Sequence, residues 1–239
     1  MLDHKGIARH DVLLRPSAGI LVVLGLGIES IDMSTPAAGA TRVRGSRWIA
    51  RALDEVVPQP PLFPAEPARR RVVEDAERWG ERFQQATRRM FLCASRHDPA
   101  AFAAAVARDG YVARRGLRMI APLALRAAAA VHQASDSAAQ EDLALLAERL
   151  EEIDAWIRAG VLDGEQINAA DLQIAPAVAV LLRSPDLWPY VEGRPAAALA
   201  GRVLPPCRDG GGRITVPAWL GPAGGREPDR RVRARLGEQ

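Results

Sequence analysis

Ser46 follows Gly45 where a short basic strand gives way to a helix, and that position can do chemistry. Residues 41–58 read as a strand around Arg42–Val43, a tight turn and a helix. Ser46 fits the N-cap, Ile49, Leu53 and Val56 recur at helical spacing, and Pro58 ends the helix. A serine hydroxyl beside the unpaired N–H groups of a first helical turn suits a carboxylate, because free donors and the positive end of the helix dipole converge there. Other residues able to do chemistry are less well placed. His4, His10, His97 and His132 are scattered, with no metal-ligand spacing and no cysteine or carboxylate cluster, so they read as surface or satisfied histidines and no metal is expected. Cys93, at the end of an amphipathic helix, reads as a small core residue and not a nucleophile. Arg69–Arg71 read as a solvated face, and Gly210–Gly212 lack the Lys-Ser/Thr that completes a phosphate loop.

A second constellation is structural. Asn168-Ala-Ala-Asp171 has the form of a capping box: the Asn168 side chain accepts from the Asp171 N–H while the Asp171 carboxylate reaches back to the Asn168 N–H. Ile167 precedes it as a staple residue.

The elements that must position these residues fall into two parts. The first sixty residues switch rapidly: a strand at His10–Leu14 stopped by Pro16, a glycine-broken apolar segment, Ser34–Gly39, the Arg42–Val43 strand and the Ser46 helix. Such alternation suggests a small α/β unit. Prolines 58, 60, 61, 64 and 67 then make a stiff linker, with Pro67 suited to a first helical turn. Beyond it helix dominates. Val72, Ala76, Trp79, Phe83, Thr87 and Met90 or Phe91 form one apolar stripe. A capping box at Ser137–Gln140 opens a helix carrying Leu143, Leu146, Leu150, Ile153 and Ile157, and Gly160 stands where a C-cap glycine belongs. From Cys207 onward the chain turns to Gly, Pro and Arg and reads as a solvated tail.

Composition bounds the function classes. The formal net charge of the 239 residues is only +3, and Lys5 is the sole lysine among 32 basic residues. Arginine and alanine bias of this kind reflects GC-rich coding, so basicity carries no argument for nucleic acid. Two distant cysteines, Cys93 and Cys207, read as free thiols of a reducing compartment. The longest apolar run, Ala18–Ile28, is too short to span a bilayer, and Glu29 and Asp32 follow where a signal cleavage site would need small residues. A cytoplasmic protein is expected.

Several stretches together resemble the glutathione S-transferase family, and a bacterial subgroup of it most closely. They are Leu2–Gly6, Gly45–Asp54, Pro61–Pro64, Ala76–Gly80, Ala170–Ala175 and Glu192–Ala196. The resemblance implies a mainly α protein: an incomplete thioredoxin-like α/β N-terminal domain (1–58), a proline-rich linker (59–67), an all-helical C-terminal domain (68–205) and a flexible basic tail (206–239). It also implies a homodimer active in detoxification, with glutathione as co-substrate and a small electrophile as second substrate, and with neither nucleic acid nor membrane as partner. The glutathione-binding residues it implies are Gly45 and Ser46 for the γ-glutamyl carboxylate, and Thr35–Pro36 as the cis-proline pair for the cysteinyl backbone. Asn168 and Asp171 match the family's internal capping motif, which serves folding.

Two departures shape the functional expectation. Leu2–Gly6 resembles the end of the family's first helix, so the first strand and the loop that activates the glutathione thiol are missing, and no catalytic residue can be assigned. At Gly45 relatives more widely carry Glu or Gln, so one side-chain contact to the ligand is lost. The chain is therefore expected to be a glutathione transferase if its N-terminus lies upstream. The alternative is a non-catalytic glutathione transferase-like binding or dimerisation protein. A nucleic-acid regulator using the arginine-rich tail ranks last, for want of a reading helix or stacking aromatics.

Overall fold

The computed structural model describes residues 1–7, 30–35, 39–100, 102 and 114–204. The chain is mainly helical. A hairpin of β1 (Ser30–Thr35) and β2 (Gly39–Arg44) leads into α1 (Ser46–Val56). There follow α2 (Pro67–His97), α3 (Arg114–Val131), α4 (Asp136–Ala144), α5 (Leu146–Arg158) and α6 (Ala169–Leu182). A single 3₁₀ turn at Pro185–Leu187, the short α7 (Trp188–Val191) and α8 (Pro195–Val203) complete it. The strands pair antiparallel from Ser30 opposite Arg44 to Thr35 opposite Gly39. The strand at His10–Leu14, Pro36 and the tail from 206 lie outside the described residues.

Among the described elements α6 is the most enclosed. It is apolar almost all round, which is the pattern of a helix enclosed by others, and Ile174, Ala175, Val178 and Leu181 are buried along it. The long α2 lies against α6 at Gly80, where a Cβ would come within 2.7 Å of Ile174 Cγ1. Its buried face is Val73, Ala76, Phe83, Thr87 and Met90, while Val72 is 44% exposed. The inward stripe thus starts one residue later than the apolar spacing suggests. Trp79 stacks on Phe83 at 5.3 Å and meets Trp156 of α5 edge-on at 5.0 Å. A smaller cluster of Leu92, Phe102, Ala121 and Leu125 joins the end of α2 to α3.

Three helix starts differ from the sequence expectation. Gly45, and not Ser46, is the cap of α1: its carbonyl accepts the Ile49 N–H at 2.9 Å, and its φ of +85° is a conformation glycine supplies without strain. Ser46 is therefore the first helical residue. Along α1 the buried residues are Ala50 and Leu53, and Val56 is exposed. The Ser137 box is displaced by Ser135, whose side chain accepts the Ala138 N–H at 3.1 Å. The helix expected from there breaks at Leu145 into α4 and α5.

The proline-rich segment is more than a spacer. Leu62 and Phe63 are buried, and the Arg51 and Arg70 guanidinium groups sit 4.8 and 5.0 Å from the Phe63 ring centre. The Leu62 N–H donates to Asp54 at 2.8 Å and its carbonyl accepts the Ala169 N–H at 2.9 Å, so the linker ties α1 to the start of α6. Lys5 closes the same junction, donating to Asp54 Oδ1 at 2.6 Å and to the carbonyls of Val57 and Pro60 at 2.6 and 2.7 Å. Arginines hold the buried carboxylates elsewhere. Arg89 grips Asp142 with two bonds of 2.7 and 2.8 Å, and Arg194 reaches Asp154 at 2.6 Å.

Candidate functional site

The opening of α1 is the first place a ligand could sit. With glycine at the cap, no cap side chain covers the N–H groups of the first turn, and Ser46 adds a hydroxyl at the first helical position. Arg47 and Arg51, one and two turns into α1, both turn to Glu77 of α2. Arg51 is 3.0 Å from its Oε2 and Arg47 is 3.4 Å away. Glu77 is fully buried, and burial pushes its carboxyl above the ordinary value against the pull of Arg51 and Arg47. The ion pairs pin the first turns of α1 to α2 and leave its N-terminal end fixed in orientation.

The hairpin separates the residues expected to share a glutathione site. Thr35 pairs with Gly39 at the closed end, whereas Gly45 follows Arg44 at the open end, opposite Ser30. Five residues of strand, about 17 Å, lie between the two ends, and a tripeptide spans at most about 11 Å. Thr35 therefore lies at the far end of the hairpin from the Gly45–Ser46 turn, and Pro36 lies outside the described residues. The physical reason is that Ser30–Thr35 forms the strand that pairs with Gly39–Arg44, which puts Thr35 at the closed end.

Asn168 and Asp171 stand as the sequence places them. Asn168 Oδ1 accepts from Ala170 and Asp171 N–H at 2.9 and 3.2 Å, and Asp171 Oδ2 accepts from Asn168 N–H at 2.9 Å. The structure adds two bonds outside the box. Asp171 Oδ1 accepts from the Asp163 N–H at 2.8 Å, and Asn168 Nδ2 donates to the Val161 carbonyl at 2.8 Å. Burial raises the Asp171 carboxyl, with the backbone donors of Asn168 and Asp163 opposing it. The box lies on the edge of a cleft of about 550 Å³ between the linker, the start of α2 and the 159–168 loop, lined by Phe63, Arg69, Val73, Gly160, Glu165 and Asn168 among others. That cleft shares no lining residue with the Gly45–Ser46 turn.

A third group escaped the sequence reading. Cys93, His97 and Asp136 bring their ligand atoms within 4.8 Å of one another, which corrects the view that no histidine sits in a cysteine and carboxylate cluster. The i, i+4 spacing of Cys93 and His97 on one helix face was the available signal. Asp136 comes from another helix, which local spacing cannot show. Cys93 Sγ donates to Asp136 Oδ1 at 3.3 Å, and burial first, then that bond, push the thiol up to about 12.

Among the described residues, no helix is long and apolar enough to cross a membrane. Comparison of the chain with protein-family models, curated proteins and solved structures found no match.

Proposed function

We propose that this chain is a glutathione transferase-like protein that receives the γ-glutamyl carboxylate of glutathione at the Gly45–Ser46 turn. It conjugates glutathione to a small electrophile where a strand and loop upstream of Met1 supply the donor that lowers the thiol pKa. The observation that carries the proposal is the opening of α1: a glycine cap at positive φ, first-turn N–H groups with no cap side chain on them and a hydroxyl at the first helical position. A carboxylate there gains hydrogen bonds and the favourable end of the helix dipole together. The hairpin running into α1 supports the second half of a thioredoxin-like domain, and the reciprocal Asn168/Asp171 cap supports the helical domain that accompanies it in that family. The cysteinyl backbone of the ligand then lies along the Ser30 end of β1, because that end adjoins Gly45. The protein would work in the cytoplasm as a homodimer, without nucleic acid or membrane.

Calorimetric titration with glutathione tests the proposal. Wild type binds, and Ser46→Ala weakens binding about tenfold, as expected for one hydrogen bond to a charged group. The dipeptide Cys-Gly, which lacks the γ-glutamyl carboxylate, fails to compete. Absence of binding, or a Ser46→Ala variant equal to wild type, overturns the assignment.

A non-catalytic binding or dimerisation protein is the second proposal, favoured by Trp48, which stands 67% exposed on α1. Sedimentation velocity of wild type and Trp48→Ala tests the interface, a dimer lost on that substitution placing Trp48 in it; both readings allow a dimer, so an assay of glutathione conjugation separates the two.

A further inference from the structure

The last turn of α2 and the first residue of α4 meet where three different donors converge. Cys93 and His97 lie one turn apart on α2 and face Asp136. Asp136 Oδ1 lies 3.3 Å from Cys93 Sγ and 3.4 Å from His97 Nε2. The thiol is buried, while the His97 and Asp136 side chains are 39% and 45% exposed, so the group has a closed sulfur floor and an open mouth. A tetrahedral zinc ion about 2.3 Å from sulfur and about 2.0 Å from nitrogen and oxygen sets S···O near 3.5 Å and N···O near 3.3 Å. The two separations to Asp136 match those values before any ion enters.

We infer that Cys93, His97 and Asp136 form a binding site for one zinc-like divalent cation, with three protein ligands and a fourth position open to water. The donor set selects the class of ion. Thiolate with imidazole favours zinc or cobalt, whereas magnesium and calcium require oxygen ligands. As the metal–sulfur bond forms, the Cys93 proton leaves to solvent, and the cation takes over the stabilisation of the thiolate. Without a cation the buried thiol donates to Asp136 Oδ1, and the same oxygen carries Arg96. The Arg96 side chain is 30% exposed and can turn outward when the cation displaces it. Both helices are held independently of the cluster, since Arg89 of α2 grips Asp142 of α4. The two helices that carry the ligands are therefore held together before binding.

Titration of the full chain with Co²⁺ alone tests the site. Wild type is expected to develop a thiolate-to-cobalt charge-transfer band in the near ultraviolet, saturating at one equivalent and bleached by Zn²⁺. Cys93→Ser removes the band and Cys207→Ser leaves it intact. His97→Gln changes a partly exposed side chain, so its circular dichroism stays that of wild type while cobalt affinity falls by about tenfold or more. A wild type without the band, a band that survives Cys93→Ser or disappears in Cys207→Ser, or a folded His97→Gln variant with unchanged affinity overturns the assignment. Should Cys93→Ser not fold, His97→Gln decides alone.

Discussion

Asp171 has no exposed surface and uses both carboxylate oxygens on backbone N–H groups, one from Asn168 and one from Asp163. Its removal does more than uncap a helix. Asp171→Ala leaves two part-buried donors unpaired, each costing about 1–3 kcal/mol, so a loss of about 2–6 kcal/mol is expected where a simple cap loss is about 1 kcal/mol. Urea denaturation measures it, and a loss below that of a simple cap would show that water replaces the carboxylate. Glu77 gives a pH prediction. Its folded-state pKa lies above the usual 4.5 because burial outweighs Arg51 and Arg47. The native state therefore holds this proton more tightly than the unfolded chain. The resulting stability is full below the usual value and lost as pH rises through the folded one. The Tm of wild type relative to Glu77→Gln, which does not titrate, should accordingly fall as pH rises from about 4 to neutrality; a constant difference refutes the raised value. Residue-scale features were legible in proportion to how local they are. The Asn168/Asp171 pair spans three positions of one helix and could be read directly. Asp136 reaches Cys93 across 43 positions, and no periodicity encodes that.

Two glycines show how elements constrain substitution in different ways. Gly80 is helical and its replacement by alanine would ordinarily stabilise α2 by about 1 kcal/mol. Here the new Cβ would stand 2.7 Å from Ile174 Cγ1, near the root of a branched side chain that cannot swing clear. Gly80→Ala should therefore destabilise, by about 1–3 kcal/mol, and the Gly80→Ala/Ile174→Ala pair should cost less than the sum of its singles. Additive losses would show that α2 and α6 separate without strain. Gly160 has open space around it and a φ of +68°. Its N–H donates to the Ile157 carbonyl and the Val161 N–H to Trp156, closing the end of α5. Gly160→Ala should cost about 1–2 kcal/mol through backbone conformation alone, seen as a lower Tm that no compensating cavity mutation restores. The C-terminal glycine of α5 was legible because left-handed caps have a residue signature. The break at Leu145 was not, since apolar spacing runs straight across it. β1 was hidden for a related reason: its sequence Ser-Ile-Asp-Met-Ser-Thr is polar enough to read as loop, and pairing with β2 makes it a strand.

Over the whole molecule, the N-terminal segment, α1, the linker and α6 form one chain of bonds. Lys5 joins residues 1–7 to Asp54 and the linker carbonyls, Asp54 and Leu62 join α1 to the linker, and Leu62 meets Ala169 at the head of α6. The α/β region is thus coupled to the helical region by buried polar groups as well as by Leu62 and Phe63. Lys5→Met removes the cation from this junction while Asp54, whose side chain is 19% exposed, keeps its charge. A loss of about 2–3 kcal/mol is expected, below the range for a wholly buried pair because water reaches the carboxylate. Thermal denaturation checks it, and an unchanged Tm would mean that the N-terminal segment does not brace the junction. The proline cluster announced a stiff connection in the sequence, but its role as an anchor also depends on distant residues, Lys5 with Asp54 and Leu62 with Ala169.

The burial of Lys5 has a consequence for chemical labelling. It is the only lysine of the chain, and its ammonium lies against Asp54 and two carbonyls with none of the side chain exposed. An acylating reagent in solution meets no other side-chain amine, and it can reach this one only when the junction between the N-terminal segment and the linker opens. The rate at which Lys5 gains an acyl group, located on that side chain by fragment-ion mass spectrometry to separate it from the α-amine of the same peptide, is therefore a direct clock for that opening, set by the stability of one joint and not by the reactivity of a surface.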